Sequence, residues 1–277
     1  QNVDKTIASI ELAYQLGIPT MRVNTGRWGT SKDFGELMKN RGIEPPLPGY
    51  SDGRLTVAGG GTLSVHASDG TIGFTAEQVR DLNLASSFLA NTAYLGIDTS
   101  LADMTCPYDL PKRMGVTKYG TNTLTRSGSS VFGNAVIYNG TLNLSGNNIV
   151  SGTLAVASGR ANVTATNAFA GTAEVYAGNS SLTNGVLTLG PDASLTLGGN
   201  FRVGLANSSG ALYLDGGTLF SSAAAGDANF SFGRETNSYG YLRMTGGSVT
   251  AKRLQTGGFG DNTSVGRGLV RISGGAL

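Results

Sequence analysis

Three copies of one ten-residue pattern constrain this chain more than any other feature: GALYLDGGTL at 210–219, GYLRMTGGSV at 240–249 and GLVRISGGAL at 268–277. Their starts lie 30 and 28 residues apart. Side chains alternate along a strand, so Leu212 and Leu214 share one face. The Gly-Gly pair predicts a tight bend without Cβ strain, and Leu219 opens the next strand. Each copy follows a similar lead: Val203-Gly204, then Phe232-Gly233, then Phe259-Gly260. Shorter Gly-x-Leu strands recur upstream at Gly140-Thr141-Leu142, Gly152-Thr153-Leu154 and Gly185-Val186-Leu187, with a related one at Ala193-Ser194-Leu195. Units this short cannot bury an apolar face alone, and stacking them buries a continuous ladder. The pattern predicts parallel coils over 115–277 with almost no helix.

Composition agrees. The 277 residues include 43 glycines, and charged residues are 14%, against about 25% in ordinary globular domains. Hydrophobic residues are 39%, which sets the chain apart from low-hydrophobicity, high-charge disorder. Many turns joining short strands account for both figures. A shift falls near Gly53. Residues 1–53 hold 12 of the charged residues and four of the seven prolines, but only seven of the 43 glycines. In that segment Ile7, Ile10, Leu12, Ala13 and Leu16 predict an amphipathic helix ended by Gly17, followed by a strand at 20–24. A second helix is predicted from Asp33 to Asn40, capped by Ser31 and stopped by Gly42. A single strand with two helices has no sheet to join and should be unstable alone.

Residues 54–114 read as a β lead-in with one helical insert. Leu55, Val57, Leu63 and Val65 alternate with small or polar residues around Gly59-Gly60-Gly61. Over 74–90, Thr75 with Gln78 three residues on is a capping box, and Val79, Leu82 and Leu89 fall near one face.

Two resemblances rest on these segments. ELAYQLGIPTMRVNTGRWGTSKDFGELMKNRGIEPPLPGYSDG resembles a stretch of the xylose-isomerase-like sugar phosphate isomerase/epimerase family of TIM barrels. It covers about one βα unit, within 1–53. The family's metal ligands come from later strands and none of that follows here, so no catalytic residue is carried over. GVTKYGTNTLTRSGSSVFGNAVIYNGTLNLS resembles the autotransporter-associated β-strand repeat of bacterial passenger regions. The matching positions are Gly115, Thr117-Lys118, Gly120, Thr123-Leu124, Ser127-Gly128, Gly133 and Gly140-Thr141-Leu142. Arg126 departs from this pattern, standing where the family has an apolar residue. With GFTAEQVRDL at 73–82, LGIDTS at 95–100 and the later units, the resemblance covers about 73–277. It implies an extracellular β-helix. The fold expected is therefore mainly β, a right-handed parallel β-helix or solenoid with a short N-terminal α/β fragment. The expected divisions are 1–53, 54–114 and 115–277.

The residues that carry chemistry are sparse. His66 is the only histidine, and in Leu63-Ser64-Val65-His66-Ala67 it lies opposite Leu63 and Val65. A solvent-facing strand position suits it better than a Ser-His-Asp arrangement. Cys106, the only cysteine, precludes an internal disulfide and reads as a packed thiol. One His and one Cys do not make up the three or four ligands of a zinc site. Glycoside hydrolysis needs a carboxylate pair, and Glu174, Asp192, Asp215, Asp227, Glu235 and Asp261 are scattered. Asp215 before Gly216-Gly217 reads as an Asx turn-former. Gly257-Gly258-Phe259-Gly260-Asp261 is one isolated approach to a calcium-binding nonapeptide. Tyr213, Phe220, Phe230, Phe232, Tyr239 and Tyr241 read as β-stacking residues, with a carbohydrate-binding stripe as the sharper alternative.

No catalytic, cofactor or metal residue is assigned, and no cofactor is expected. Net charge is +2 without a basic run, so no nucleic acid partner is expected. No apolar stretch reaches membrane-helix length. The reading is a structural or adhesive surface protein, extracellular or on the bacterial outer membrane, with surface glycans or environmental polymers as partners. The alternative is an enzyme, either a polysaccharide-acting β-helix or a sugar isomerase relative. The chain stops in mid-pattern at Leu277, and an uncapped last coil predicts end-to-end association.

Overall fold

The computed structural model describes residues 56–70, 73–84, 90–169, 175–178, 183–205, 207–221, 229–258 and 266–277. The chain divides between Pro48 and Gly49, and every described residue lies in the second part. The readings made for 1–53, and those for Leu89, Glu174, Asp227, Phe259, Gly260 and Asp261, fall outside the described residues.

In chain order the elements are β1 (Thr62–His66), helix α1 (Ala76–Leu84), β2 (Tyr94–Asp98), β3 (Met104–Cys106), β4 (Leu110–Tyr119), β5 (Thr123–Arg126) and β6 (Ser130–Ile137). Next come β7 (Thr141–Leu144), β8 (Asn148–Val150), β9 (Leu154–Val156), β10 (Gly159–Val163), β11 (Thr166–Phe169), β12 (Val175–Ala177) and β13 (Asn184–Leu189). The last are β14 (Ser194–Leu197), β15 (Phe201–Val203), β16 (Ser209–Ser221), β17 (Asn229–Phe232), β18 (Tyr239–Thr250), β19 (Arg253–Thr256) and β20 (Arg267–Ile272).

This part of the chain is mainly β, and its strands join in one large parallel sheet that does not close into a barrel. The pairing follows the winding of the chain, because each strand bonds to strands one turn before and after it. Three parallel ladders result. The first runs β1, β2, the end of β4, the end of β6, β9, β12, β15, β17 and β19. The second runs β3, β5, β7, β10, β13, the first part of β16, the first part of β18, and β20. The third runs from the start of β4 through β6, β8, β11, β14 and the later parts of β16 and β18 to a bridge at Ala276.

The register of the three long repeats is the one their sequences align to: Gly210 faces Gly240, which faces Gly268, and Leu212 faces Leu242, which faces Val270. The leads differ in the third copy. Phe232 pairs with Thr256, so Thr256-Gly257 and not Phe259-Gly260 continues the series Val203-Gly204, Phe232-Gly233. Gly204, Gly233 and Gly257 all have positive φ.

The coils also begin earlier than Gly115. Tyr94 pairs with that glycine, and β1 pairs with β2 along its whole length. The region 54–114 is therefore part of the stack from Thr62 onward, interrupted by α1. The helix opens on a reciprocal capping box: Gln78 N donates to Thr75 Oγ1 (3.2 Å) and Thr75 N donates to Gln78 Oε1 (2.9 Å). Val79 and Leu82 are its buried apolar residues.

Inside the second ladder, Leu124, Leu142, Ala161, Leu187, Leu212 and Leu242 form one column of buried side chains. In the first ladder Leu95, Val116, Ala135 and Leu154 do the same, and later coils fill that interior with Phe201 and Phe230, whose rings meet edge-on at 5.4 Å. One outward column of the second ladder is polar: Asn143 Nδ2 donates to Thr125 Oγ1 (3.2 Å), and Asn162 Nδ2 donates to Asn143 Oδ1 (2.9 Å), one coil to the next.

Candidate functional site

Parallel stacking places the same strand position of every coil in one column, so an unusual residue stands out against its column. Two cations do. Lys118 occupies the inward column Val65, Ile97, Lys118, Ile137, Val156. Arg126 occupies the inward column Cys106, Arg126, Leu144, Val163. They sit on consecutive strands, β4 and β5, of one coil, and both are fully buried.

Their surroundings differ. Lys118 Nζ donates to three backbone carbonyls: Tyr119 O (2.6 Å), Gly120 O (2.8 Å) and Asn139 O (3.1 Å). All three donors of the ammonium have an acceptor, and two successive turns are tied together. The cage requires glycine at its rim. Gly120 (φ 76°) and Gly140 (φ 67°) lie in the left-handed region, and a Cβ on Gly140 would stand 2.9 Å from Lys118 Nζ. Burial lowers the ammonium to about 8, opposed by Asp98 and Asp103, so it stays charged at neutral pH.

Arg126 is poorly matched. Its Nη2 donates to Ser130 Oγ (2.5 Å) and to Tyr108 O (3.4 Å), but Nε and Nη1 have no hydrogen-bond partner. Burial pushes the guanidinium below its ordinary value, and neighbouring Cys106 works the other way. Cys106 is itself fully buried, with Sγ 3.9 Å from Ala76 O. It is a packed thiol, enclosed by α1 and the next coil.

On the outside, His66, Asp98 and Tyr119 form one column, and Tyr138 follows Tyr119. His66 is exposed, and its Nδ1 lies 3.4 Å from Asp98 Oδ2. Asp98 Oδ1 accepts from Ser100 N (2.8 Å) and Ser100 Oγ (2.5 Å). Burial opposes ionisation of Asp98, but the two Ser100 bonds, with His66 and Lys118 nearby, outweigh it and hold the carboxyl below its usual value. The serine thus bonds the carboxylate and not the imidazole, which is not the order of a Ser-His-Asp relay. Tyr119 and Tyr138 stack at 5.3 Å and 5°. Burial, with Tyr138 alongside, raises the Tyr119 phenol. This pair escaped the sequence reading, although VTKYG and AVIYNG place Tyr119 directly before Gly120 and Tyr138 two residues before Gly140, each at the end of an alternating run.

The acids do not converge. Asp192 is exposed in a turn, and Glu235 lies in the turn before β18. Asp215 is not the turn-former expected from its Gly-Gly neighbours. Its carboxylate accepts from Arg243 Nη2 (3.0 Å) and Thr245 Oγ1 (2.9 Å) of the next coil. A cationic partner one ladder step away outcompetes the local Asx bond. Arg243 also lies over the Tyr213 ring, 4.6 Å from its centroid, and Tyr213 meets Tyr241 edge-on at 6.0 Å. The proposed aromatic stripe divides: Phe230 and Phe232 are core, Tyr213 and Tyr241 are half-buried and outward, and Phe220 and Tyr239 are exposed. Among the described residues no group of three or more His, Cys, Asp or Glu side chains could hold a metal ion. No helix of the described residues is long and apolar enough to cross a membrane.

Comparison with protein-family models, with curated proteins and with solved structures finds no match.

Proposed function

We propose that this chain is a structural and adhesive β-solenoid of the right-handed β-helix type, exposed on the outside of a bacterial cell and non-catalytic as it stands. The observation that carries the reading is the succession of parallel pairings from β1 to β20, with register shifts within the β4–β6 and β16–β18 pairs, apolar columns inside and a hydrogen-bonded Thr and Asn column outside. Such a stack is quasi-one-dimensional, because each coil contacts only its neighbours and adds about 4.8 Å to the length. That is the build of a stalk, which holds binding surfaces away from its base. The autotransporter-repeat resemblance of 115–144, on Thr117-Lys118, Gly120 and Gly140-Thr141-Leu142, supports the placement outside the cell. The test is protease or antibody access to the tagged natural gene product on intact cells. Surface labelling that disappears after shaving with protease is expected. A product found only in the cytoplasmic fraction overturns the proposal.

A further inference from the structure

The winding brings together six residues that are dispersed in sequence. On the outward side of the second ladder, Tyr239 pairs with Arg267, Tyr241 with Leu269, and Arg243 with Arg271. One coil earlier, Tyr213 lies beside Arg243. Gly240, Leu242 and Met244 point inward and are buried, so the alternating Tyr239, Tyr241 and Arg243 point out. The face formed by β16, β18 and β20 thus carries three tyrosines and three arginines side by side. Successive outward residues are about 6.7 Å apart along a strand and about 4.8 Å apart between strands. The net charge of +2 over the whole chain concealed this concentration.

We infer that this outward face of β16, β18 and β20 is a docking site for a linear anionic polysaccharide. The argument is one of charge and geometry. Asp215 is the carboxylate that the described residues hydrogen-bond into the face, and it engages Arg243. Arg267 and Arg271 are exposed and have no ion-pair partner among the described residues. Two unneutralised guanidinium groups on a flat sheet fit carboxylate or sulfate groups, which the planar fork can bind bidentately. Tyr239, 41% exposed, offers a ring and a hydroxyl to a sugar. The ring arrangement favours sugars over bases. Arg243 covers one face of Tyr213, and Tyr241 meets Tyr213 at 80°. A single nucleic acid strand wants consecutive open ring faces, and this face does not present them. The inference rests on the proposed extracellular placement, where such polymers occur.

The experiment uses the whole chain and polygalacturonate as probe, with neutral dextran and poly(dT) as comparisons. Binding is measured at low and moderate salt. Binding to polygalacturonate and not to dextran is expected, weakening as salt screens the exposed charges. R267Q/R271Q should weaken it about tenfold or more, equivalent to roughly one lost charged contact. Arg160→Gln, on the same ladder two pairing steps before β16 and four before β20, should leave it unchanged. Circular dichroism of each variant establishes that the β-sheet is intact. Absence of polygalacturonate binding, equal binding by R267Q/R271Q, equal binding of dextran, or tighter binding of poly(dT) overturns the inference. None of these outcomes alters surface labelling on intact cells, so the two proposals fail separately.

Discussion

Lys118 and Arg126 show how little burial alone says about a cation. Both are buried in the same coil, yet the lysine has three acceptors and the arginine leaves two of its three nitrogens unmatched. Opposite responses to apolar substitution are therefore expected. Arg126→Leu, which matches Leu144 in the next coil, should stabilise the chain by about 1–4 kcal/mol, as replacement of poorly compensated buried charge often does. A fall in melting temperature would show that the guanidinium is compensated after all. Lys118→Met should destabilise by about 1–3 kcal/mol, because it strands carbonyls in two turns. The pH dependence has a definite sign. The folded value of Lys118, about 8, lies below its ordinary 10.5, so the unfolded chain binds more protons between these values. Stability should rise as pH goes from 8 towards 10.5, and that increment should vanish in Lys118→Met. The direction of Lys118 was not legible beforehand, and Arg126 was marked only by standing where the resembling repeats have an apolar residue. In VTKYG and TLTRS the alternation rule fixes a face, but a charged residue on the inner face contradicts the polarity from which faces are assigned. Only the columns formed by neighbouring coils resolve it.

At the scale of elements, what was written locally could be read locally. The Thr75–Gln78 capping box depends on two residues three apart, and both reciprocal bonds form. Thr75→Ala should cost about 1 kcal/mol, seen as a lower denaturation midpoint at unchanged slope. No change would mean that packing of Val79 and Leu82, and not the cap, sets the start of α1. The register of β16, β18 and β20 was equally legible, because three near-identical decapeptides align themselves. Contacts between coils were not. Asp215 has Gly-Gly beside it in sequence, which invites a turn, yet Arg243 stands beside it in space. The turns before β16 and β18 repeat too. Ser208 Oγ accepts from Leu205 N, Ser238 Oγ accepts from Glu235 N, and Asn207 and Asn237 both adopt positive φ. Asn-Ser two residues before each Gly was the available sign of this shared turn, and it was lost among the many Asn and Ser residues of the chain.

For the molecule as a whole, distance along the stack is set by ladder steps and not by sequence separation. Thr125, Asn143, Asn162, Thr188, Tyr213, Arg243 and Arg271 occupy one outward column, linked by successive pairings. Among the described residues the column runs as far as β20, where Leu269 and Ile272 are exposed. Spin labels on cysteines replacing Thr125 and Tyr213, and in a second protein Thr125 and Arg271, measure it directly by electron–electron double resonance. The native Cys106 is buried and stays unlabelled. Four and six ladder steps predict backbone separations of about 19 Å and about 29 Å, in a ratio of about two to three, each with a narrow distribution. Broad distributions, or separations that do not grow in proportion to ladder steps, would contradict the parallel stack.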